Sequence, residues 1–165
     1  MRPVAVAITG PVAVGKTTVA KAAQRLLFDP WLLYEVDKCQ PHLPPKPDLV
    51  TVDADRRLRK ANLVAARSYV DEGFRVLVEM ALSDEWGRLA FDEVFRGVVV
   101  TGIVLTAQRG VVLERSAARG DDVRGLEAQL DRAIQPMLAN AVVVDTTQQD
   151  PGAVAARVVA LIEKD

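Results

Sequence analysis

Short apolar runs alternate along the chain with longer segments in which apolar residues recur every three or four positions. A run that is apolar throughout is typical of a strand buried on both faces of a parallel sheet, whereas the longer period is typical of a helix. The pattern predicts strands at 4–9, 31–36, 74–80, 98–105 and 141–145. It predicts helices at 16–27, 53–72, 85–95, 106–119 and 126–135, and a last one from 151 onward. Strands that alternate with helices in this way predict a three-layer α/β/α sandwich.

Local signals mark where several of these elements begin. Asp53 and Thr106 are expected to cap the helices that follow them, and Asp150 with Pro151 is a cap followed by a first-turn proline. The segment 37–52 is predicted to be a loop, because its prolines exclude a regular helix or a central strand. These prolines are Pro41, Pro44, Pro45 and Pro47.

Composition limits the classes of protein to be considered. Half of the 165 residues are apolar, which is enough for one domain with one core over residues 1–165. The formal net charge of −1 gives no general reason to expect nucleic acid or a membrane as a partner. Cys39 is the only cysteine, so no internal disulfide can form, and no apolar run is long enough for a membrane span or a signal peptide. We therefore expect a cytoplasmic protein, and its oligomeric state stays open.

Residues 10–17, Gly-Pro-Val-Ala-Val-Gly-Lys-Thr, match the Walker A pattern of a phosphate-binding loop, with a predicted strand before them and a helix after them. Gly10 and Gly15 let the backbone curl so that N–H groups face an anion, and the following helix points its positive end at the phosphates. Lys16 is expected to contact the β- and γ-phosphates of ATP, and the Thr17 hydroxyl to bind Mg²⁺. The predicted nucleotide cradle consists of Gly10, Pro11, Val12, Ala13, Val14, Gly15, Lys16, Thr17 and Thr18.

The carboxyl ends of parallel strands meet at one edge of the sheet, where such folds bind ligands. This rule brings Gly10, Asp37, Glu79, Thr106 and Asp145 to that edge. Glu79 is a single acid at the end of the third strand, where ATPases usually have Asp-Glu, and the chain is short for a motor or switch protein. Both features favour a small kinase. Glu79 is expected to hold Mg²⁺ or touch the substrate, and the alternative is a solvated carboxylate at a strand end.

Three further segments resemble one family of small kinases. They are residues 30–37, Pro-Trp-Leu-Leu-Tyr-Glu-Val-Asp; residues 115–125, with the pattern R-x3-R-G-D-x-V-x-G; and residues 143–147, Val-Val-Asp-Thr-Thr. With the Walker A loop, they keep the order and spacing that they have in the bacterial chloramphenicol phosphotransferases. The resemblance implies a five-stranded parallel sheet of order 2-3-1-4-5. It also implies transfer of the γ-phosphoryl group of ATP to a hydroxyl of a small molecule, such as chloramphenicol or a related metabolite.

The resemblance also implies roles for individual residues. Asp37 would be the catalytic base on the acceptor hydroxyl, and its place at the end of a strand, before a loop that could cover an acceptor, agrees with that role. Its alternative role is to cap the following turn. The segment 115–125 would be a lid that brings Arg115 and Arg119, four residues apart on one helix face, to the phosphates. The alternative is a pair of solvated arginines.

The predicted function depends less on the remaining candidate site residues. Asp145 and Thr146, in the third resembling segment, are predicted at the nucleotide. Arg124 in the lid is a weaker candidate than Arg115 and Arg119, and whether it contacts metal, phosphate or acceptor stays open. Cys39 is expected to be a small filler residue. The only histidine, His42, could bond the acceptor but is more simply read as solvated.

The chain departs from the family pattern where the acceptor should bind. Glu79 stands where relatives usually have Asp, Lys38 follows Asp37 where a small polar residue is expected, and the loop 38–49 is rebuilt around its prolines. The identity of the acceptor therefore stays open, as does the choice between ATP and GTP.

Two other functions remain as alternatives. A nucleoside, nucleotide or polynucleotide 5′-kinase is supported by basic residues at the start of the second long helix, which could grip an acceptor phosphate or form a solvated face. These residues are Arg56, Arg57, Arg59 and Lys60. The second alternative is a nucleotide-binding regulatory module with little turnover. Asp37 argues against it, because such a module needs no base at the acceptor position.

Overall fold

The computed structural model describes residues 4–39, 52–82, 84–121, 126, 130, 138 and 140–164. Its strands are β1 (Ala5–Thr9), β2 (Trp31–Glu35), β3 (Arg75–Glu79), β4 (Val100–Thr106) and β5 (Val142–Asp145). The helices that it describes in full are α1 (Lys16–Leu26), α2 (Val52–Asp71), α3 (Glu85–Val94), α4 (Arg109–Ala118) and α5 (Pro151–Glu163). The predicted helix at 126–135 lies mostly outside the described residues.

The strands form one parallel sheet of order β2-β3-β1-β4-β5, which confirms the predicted topology. β1 is the central strand, and its residue Ile8 lies opposite Glu79 of β3 and Ile103 of β4. Glu35 in turn lies opposite Glu79, and Thr106 lies opposite Asp145. The carboxyl ends of all five strands therefore meet at one edge, as the sequence predicts.

Helices cover both faces of the sheet, because both faces of its central strands are apolar. Val6 and Ile8 of β1 belong to one buried cluster, to which α1 and α5 contribute side chains such as Val19 and Val158. The alternate residues Ala5 and Ala7 belong to a second cluster, to which α2 and α3 contribute Leu63, Ala90 and Phe91. Each large apolar side chain removed from water in this way stabilises the fold by about 1.5–3 kcal/mol. The result is the predicted three-layer arrangement.

Two of the three predicted caps are wrong. Thr106 is the last residue of β4, where its carbonyl accepts a 2.7 Å hydrogen bond from the Thr146 N–H, and this bonding extends the strand beyond its apolar run. The helix α4 begins only at Arg109. Asp53 lies inside the first turn of α2, where its negative charge favours the helix dipole. Asp150 does cap α5, because its carboxylate accepts hydrogen bonds from the N–H groups of Gly152 and Ala153.

Within the described part of the chain, no helix combines the length and apolar character that a membrane-spanning segment needs.

Candidate active site

The loop between β1 and α1 has a backbone that few sequences can adopt. Gly10 has a φ of 146°, Ala13 a φ of 64° and Gly15 a φ of 96°. A Cβ atom on Gly10 would lie 2.3 Å from the carbonyl oxygen of Leu105, so no other residue fits there. Gly15 precedes α1 without a side-chain cap, and the first N–H groups of the helix thus depend on water or a ligand. These features fit a loop that binds phosphate.

Lys16 is the first residue of α1, and its ammonium group stays within the loop. Its Nζ atom donates a 2.9 Å hydrogen bond to the carbonyl oxygen of Pro11. Burial lowers the pKa of Lys16, whereas the carboxylates of Glu79 and Asp37 oppose that effect, and the charge of Arg119 adds to it. Four residues predicted from separate parts of the sequence therefore share one electrostatic neighbourhood.

Glu79 and Thr17, the two residues predicted to hold Mg²⁺, lie close to each other. Glu79 is only 3% exposed at the end of β3, and the nearby Thr17 side chain acts to lower the pKa of its carboxyl. Burial raises the pKa of Glu79, the charge of Lys16 opposes that rise, and Asp37 adds to it. A hydroxyl and a carboxylate are ligands that suit Mg²⁺, which usually completes its shell with water and substrate phosphates. Among the described residues, no group of three or more acidic, histidine or cysteine side chains could hold a metal by itself.

A cavity of about 360 Å³ opens beside the phosphate-binding loop, a volume that suits a small-molecule ligand. It lies between α1, α4 and the start of α5. Predicted nucleotide residues that line it are Ala13, Gly15, Thr18, Arg115, Arg119 and Thr146. The sequence analysis missed the others, namely Val19, Ala118, Gln149, Pro151 and Val154. Gln149, Pro151 and Val154 follow closely after the segment 143–147. That segment was the sequence signal that could have indicated them.

Asp145 is not among the residues that line this cavity. Its Oδ1 atom instead accepts hydrogen bonds from the N–H of Thr147, at 2.9 Å, and from the Thr147 hydroxyl, at 2.6 Å. These bonds lower the pKa of the Asp145 carboxyl. In this structure Asp145 therefore shapes the turn that positions Thr146.

The two predicted lid arginines have different contacts. Arg115 donates from Nη2 to the Thr146 carbonyl oxygen, at 2.8 Å, and from Nη1 to the Thr146 hydroxyl, at 3.2 Å. That hydroxyl lies 3.0 Å from the carbonyl oxygen of Val14 and 3.1 Å from that of Thr106, and it can donate to one of them at a time. Arg115 is thereby tied to the phosphate-binding loop through the end of β5.

Arg119 pairs with Asp121 at the end of α4. Asp121 also accepts a 2.7 Å hydrogen bond from the Ser116 hydroxyl, and the bonds from Ser116 and Arg119 lower its pKa. Arg119 is exposed and lies close enough to Lys16 to affect the pKa of that residue. Arg124, farther along the predicted lid, lies outside the described residues.

Asp37 lies on the other side of the phosphate-binding loop, just after β2. Its exposed carboxylate lines a narrow recess with room for about one water-sized group, with a volume of about 10 Å³. The other walls are Val36, Arg59, Leu63, Met80, Ala81, Leu82, Asp84, Trp86 and Gly87. Lys38 turns away to pair with Glu35 at 2.6 Å, and Cys39 is exposed. His42 and most of the predicted loop 37–52 lie outside the described residues.

The four basic residues of α2 do not form one cluster. Arg57 pairs with Asp53 on the same helix, at 3.1 Å, and Lys60 pairs with Glu93 of α3, at 2.8 Å. Arg59 reaches the recess beside Asp37, whereas Arg56 lies over the ring of Trp86. Only two of the four therefore remain near a possible acceptor.

A parallel sheet of this order with a Walker A loop between its central strand and the next helix defines the class of P-loop kinases. Within that class, the family model of chloramphenicol phosphotransferase-like proteins matches residues 5–163. The chain therefore belongs to the chloramphenicol phosphotransferase-like family.

Solved structures share the fold. The tunicamycin resistance protein of Deinococcus radiodurans superposes with a TM-score of 0.74 at 22% identity, over 99% of this chain and 96% of the other. A gluconokinase from Sinorhizobium meliloti 1021 gives 0.73 at 19% identity, over 98% and 93%. Shikimate kinase from Acinetobacter baumannii, in complex with shikimate, gives 0.64 at 13% identity, over 99% and 94%. No curated protein sequence matches the chain.

Proposed function

We propose that this protein transfers the γ-phosphoryl group of ATP to a hydroxyl group of a small molecule. The family and the kinase fold support a small-molecule kinase that uses a nucleotide. The observation that carries the finer proposal is the placement of two sites on either side of the phosphate-binding loop, with the recess at Asp37 after β2 and the cavity lined by Arg115 and Arg119 of α4. The charges of Asp37 and Arg119, from these two sides, both affect the pKa of Lys16.

Each residue has a part in the proposed transfer. When bound, ATP supplies the phosphoryl group, and Mg²⁺ neutralises charge on its phosphates. Thr17 and Glu79 would hold the metal, and the cavity beside Arg115 and Thr146 would hold the nucleoside. Asp37 would accept the proton of the acceptor hydroxyl and orient its oxygen.

Lys16 and Arg119 would stabilise negative charge on the transferred group. Lys16 must then exchange its hydrogen bond to Pro11 for one to a phosphate oxygen. Arg119 must share its charge between Asp121 and the phosphate. Both side chains are long and need only rotate to do so.

The family supports an antibiotic such as chloramphenicol, or a related metabolite, as acceptor. The proposal includes a single cytoplasmic domain over residues 1–165, with the acceptor cap at 37–52 and the lid at 115–125. A nucleoside, nucleotide or polynucleotide 5′-kinase is less well supported, because Arg57 and Lys60 are held in ion pairs away from the recess. A regulatory module without turnover would leave Asp37 without a role.

Transfer can be tested directly by incubating the protein with Mg-ATP and candidate acceptors, including chloramphenicol and nucleosides. ATP consumption and a phosphate added to the acceptor, seen by mass spectrometry, are the expected results. Lys16→Ala should abolish transfer and weaken ATP binding, because the loop loses its half-buried cation. Lys21→Ala is the matched control, since Lys21 is an exposed lysine of the same helix with a 3.6 Å ion pair to Glu35. Equal turnover in the Lys16 variant and the control would refute the proposed role of the loop.

A further inference from the structure

The helix α2, which contributes Arg59 and Leu63 to the recess beside Asp37, also carries hydrogen-bond donors that have no partner. Two buried side-chain polar atoms lack one within the described residues, namely Nε of Arg56 and Nδ2 of Asn62. Both are N–H donors, and they lie within two turns of α2. A buried donor without an acceptor destabilises the fold, and more so when it is charged, so such atoms call for an explanation.

Arg59 adds a direct contact with the recess. It lies on α2 between Arg56 and Leu63, and both Arg59 and Leu63 line the recess that contains Asp37. Its Nε atom donates to Asp55 at 2.9 Å. The terminal nitrogens of a guanidinium group provide further donors, which a planar anion can engage in pairs.

Arg56 is held one turn earlier by an aromatic ring. Its guanidinium carbon lies 5.4 Å from the centre of the ring of Trp86, and Trp86 also lines the recess. A cation over an aromatic face keeps its charge while it loses water, and it therefore gains more from a nearby anion than a solvated arginine would. Arg56 and Arg59 are three residues apart, so they lie on neighbouring parts of one helix face.

Three acids lie near these donors, and Asp55 already pairs with Arg59, so an anion would engage the terminal nitrogens of Arg59 and the guanidinium group of Arg56. Asp84 uses Oδ1 to accept a 2.8 Å hydrogen bond from the N–H of Gly87 and thereby caps α3. Asp37 is the residue proposed to accept the proton of the reacting hydroxyl. An acceptor would therefore meet a proton-accepting group at Asp37 and the guanidinium groups of Arg59 and Arg56 at α2.

We infer that the acceptor carries an anionic group, a carboxylate or a phosphate, as well as the hydroxyl that reacts, and that Arg59 and Arg56 bind this group. The inference rests on the proposed function and narrows it, because chloramphenicol is neutral. The acceptor would be held by its hydroxyl at Asp37 and by its anionic group at the two arginines, which would orient the hydroxyl for reaction. A neutral acceptor would have no group for the arginines to bind.

Binding can be measured by calorimetry on protein saturated with Mg²⁺ and a non-hydrolysable ATP analogue, so that anions cannot enter the phosphate-binding loop. The probes are gluconate, glucose 6-phosphate, neutral glucitol and chloramphenicol. We expect at least one anionic probe to bind ten times more tightly than glucitol or chloramphenicol. Which of the two anions binds better identifies a carboxylate or a phosphate as the recognised group.

Three substitutions on α2 locate the effect. Arg56→Gln and Arg59→Gln should each weaken binding of the anionic probe by tenfold or more. Arg57→Gln, which removes an exposed arginine paired with Asp53, should leave it unchanged. Thermal unfolding of each variant verifies that it is folded, and Arg56→Lys, which keeps the charge but not the planar group, should lose part of the affinity.

The inference is overturned if the anionic probes bind no more tightly than glucitol, which includes no measurable binding. It is also overturned if Arg57→Gln weakens binding as much as the other two. The proposed function fails by a different result. If the ATP analogue does not bind, or if no acceptor is phosphorylated while the anions still bind to the two arginines, the kinase proposal falls and the anion site stands. If chloramphenicol is phosphorylated and the anionic probes bind no more tightly than neutral ones, the kinase proposal stands and the anion site is overturned.

Discussion

At the scale of the residue, the proposed chemistry depends on Asp37. Its exposed carboxylate follows β2, and its negative charge acts to raise the pKa of Lys16, which lies on α1. The carbonyl of Glu79 accepts a 3.0 Å hydrogen bond from the Val36 N–H, and this bond fixes the backbone just before Asp37 to β3. The carboxylate is therefore positioned by the sheet edge, while its side chain stays accessible to an acceptor.

Asp37→Asn tests the role of this carboxylate. The substitution keeps the shape but removes proton acceptance, so the transfer rate should fall by roughly 10²–10⁴-fold. Affinity for ATP should change far less than the rate, because Asp37 is not one of the proposed nucleotide contacts and affects Lys16 only through its charge. Steady-state kinetics with the identified acceptor give both values. Asp71→Asn, at an exposed aspartate paired with Arg67, is the control and should behave as wild type. A near wild-type kcat in Asp37→Asn would contradict the mechanism.

At the scale of the element, α4 carries two arginines for which the sequence predicts the same role, whereas the structure gives them different contacts. Arg115 is bound to Thr146, whereas Arg119 is exposed and pairs with a neighbouring carboxylate. Arg115 connects two walls of the cavity that is proposed to bind the nucleotide. In the proposed transfer, Arg119 would turn toward the phosphoryl group.

The two arginine variants should therefore differ in kinetics. Arg119→Ala should lower kcat by roughly 10²–10³-fold, the usual cost of losing one donor that stabilises transition-state charge. Arg115→Ala should mainly raise KM for ATP and lower the melting temperature, because the bonds to Thr146 are lost. Arg157→Ala, an exposed arginine of α5, is the control. Identical profiles for the two α4 variants would show that the contacts of Arg115 do not matter in the complex.

The same elements show how far local sequence signals reach. The apolar runs predict all five strands, and Asp150 is a correct cap because its partners lie two and three residues away. Thr106 does not cap a helix, because it continues β4. Its carbonyl accepts hydrogen bonds from Thr146, which follows β5 and lies 40 residues farther along the chain. The contact between Thr146 and Val14 joins residues 132 apart, and no local pattern could predict it.

At the scale of the whole molecule, the sheet order brings the separate predictions to one place. The strand-edge rule predicts that Asp37 and Glu79 approach the phosphate-binding loop, and the pairing of β3 between β2 and β1 produces that result. The recess is harder to predict, because Arg59 and Trp86 belong to two helices on one face of the sheet. Their proximity depends on how α2 and α3 pack, which the sequence pattern does not specify.

Glu79 links the site to the stability of the whole fold. Because burial raises its pKa above the usual value for a glutamate, its contribution to stability is fully present below that usual value and is lost as the pH rises through the raised pKa. At neutral pH the charged carboxylate therefore destabilises the fold. Glu79→Gln should raise the melting temperature at pH 7, by roughly 2–4 °C per kcal/mol recovered, with a smaller gain near pH 4.

The same substitution should lower activity by roughly 10–100-fold if Glu79 helps to hold Mg²⁺. Glu93→Gln is a control of opposite sign, because Lys60 lowers the pKa of that exposed carboxyl. Its loss should not raise the melting temperature at pH 7. Scanning calorimetry from pH 4 to pH 8 gives both curves. A lower melting temperature for Glu79→Gln at pH 7 would contradict the assigned effect of burial.

The hydrogen bond from Lys16 to the Pro11 carbonyl has a consequence for the rate at which product leaves. When ADP departs, the half-buried ammonium group of Lys16 would lose its phosphate partner, and the cost of leaving it without an acceptor would slow release. Here the ammonium returns to a carbonyl five residues away. Departure then exchanges one hydrogen bond for another, a difference of about 1 kcal/mol, instead of leaving a bare charge. In the proposed reaction, the loop would therefore bind ADP less tightly, and product release would be faster.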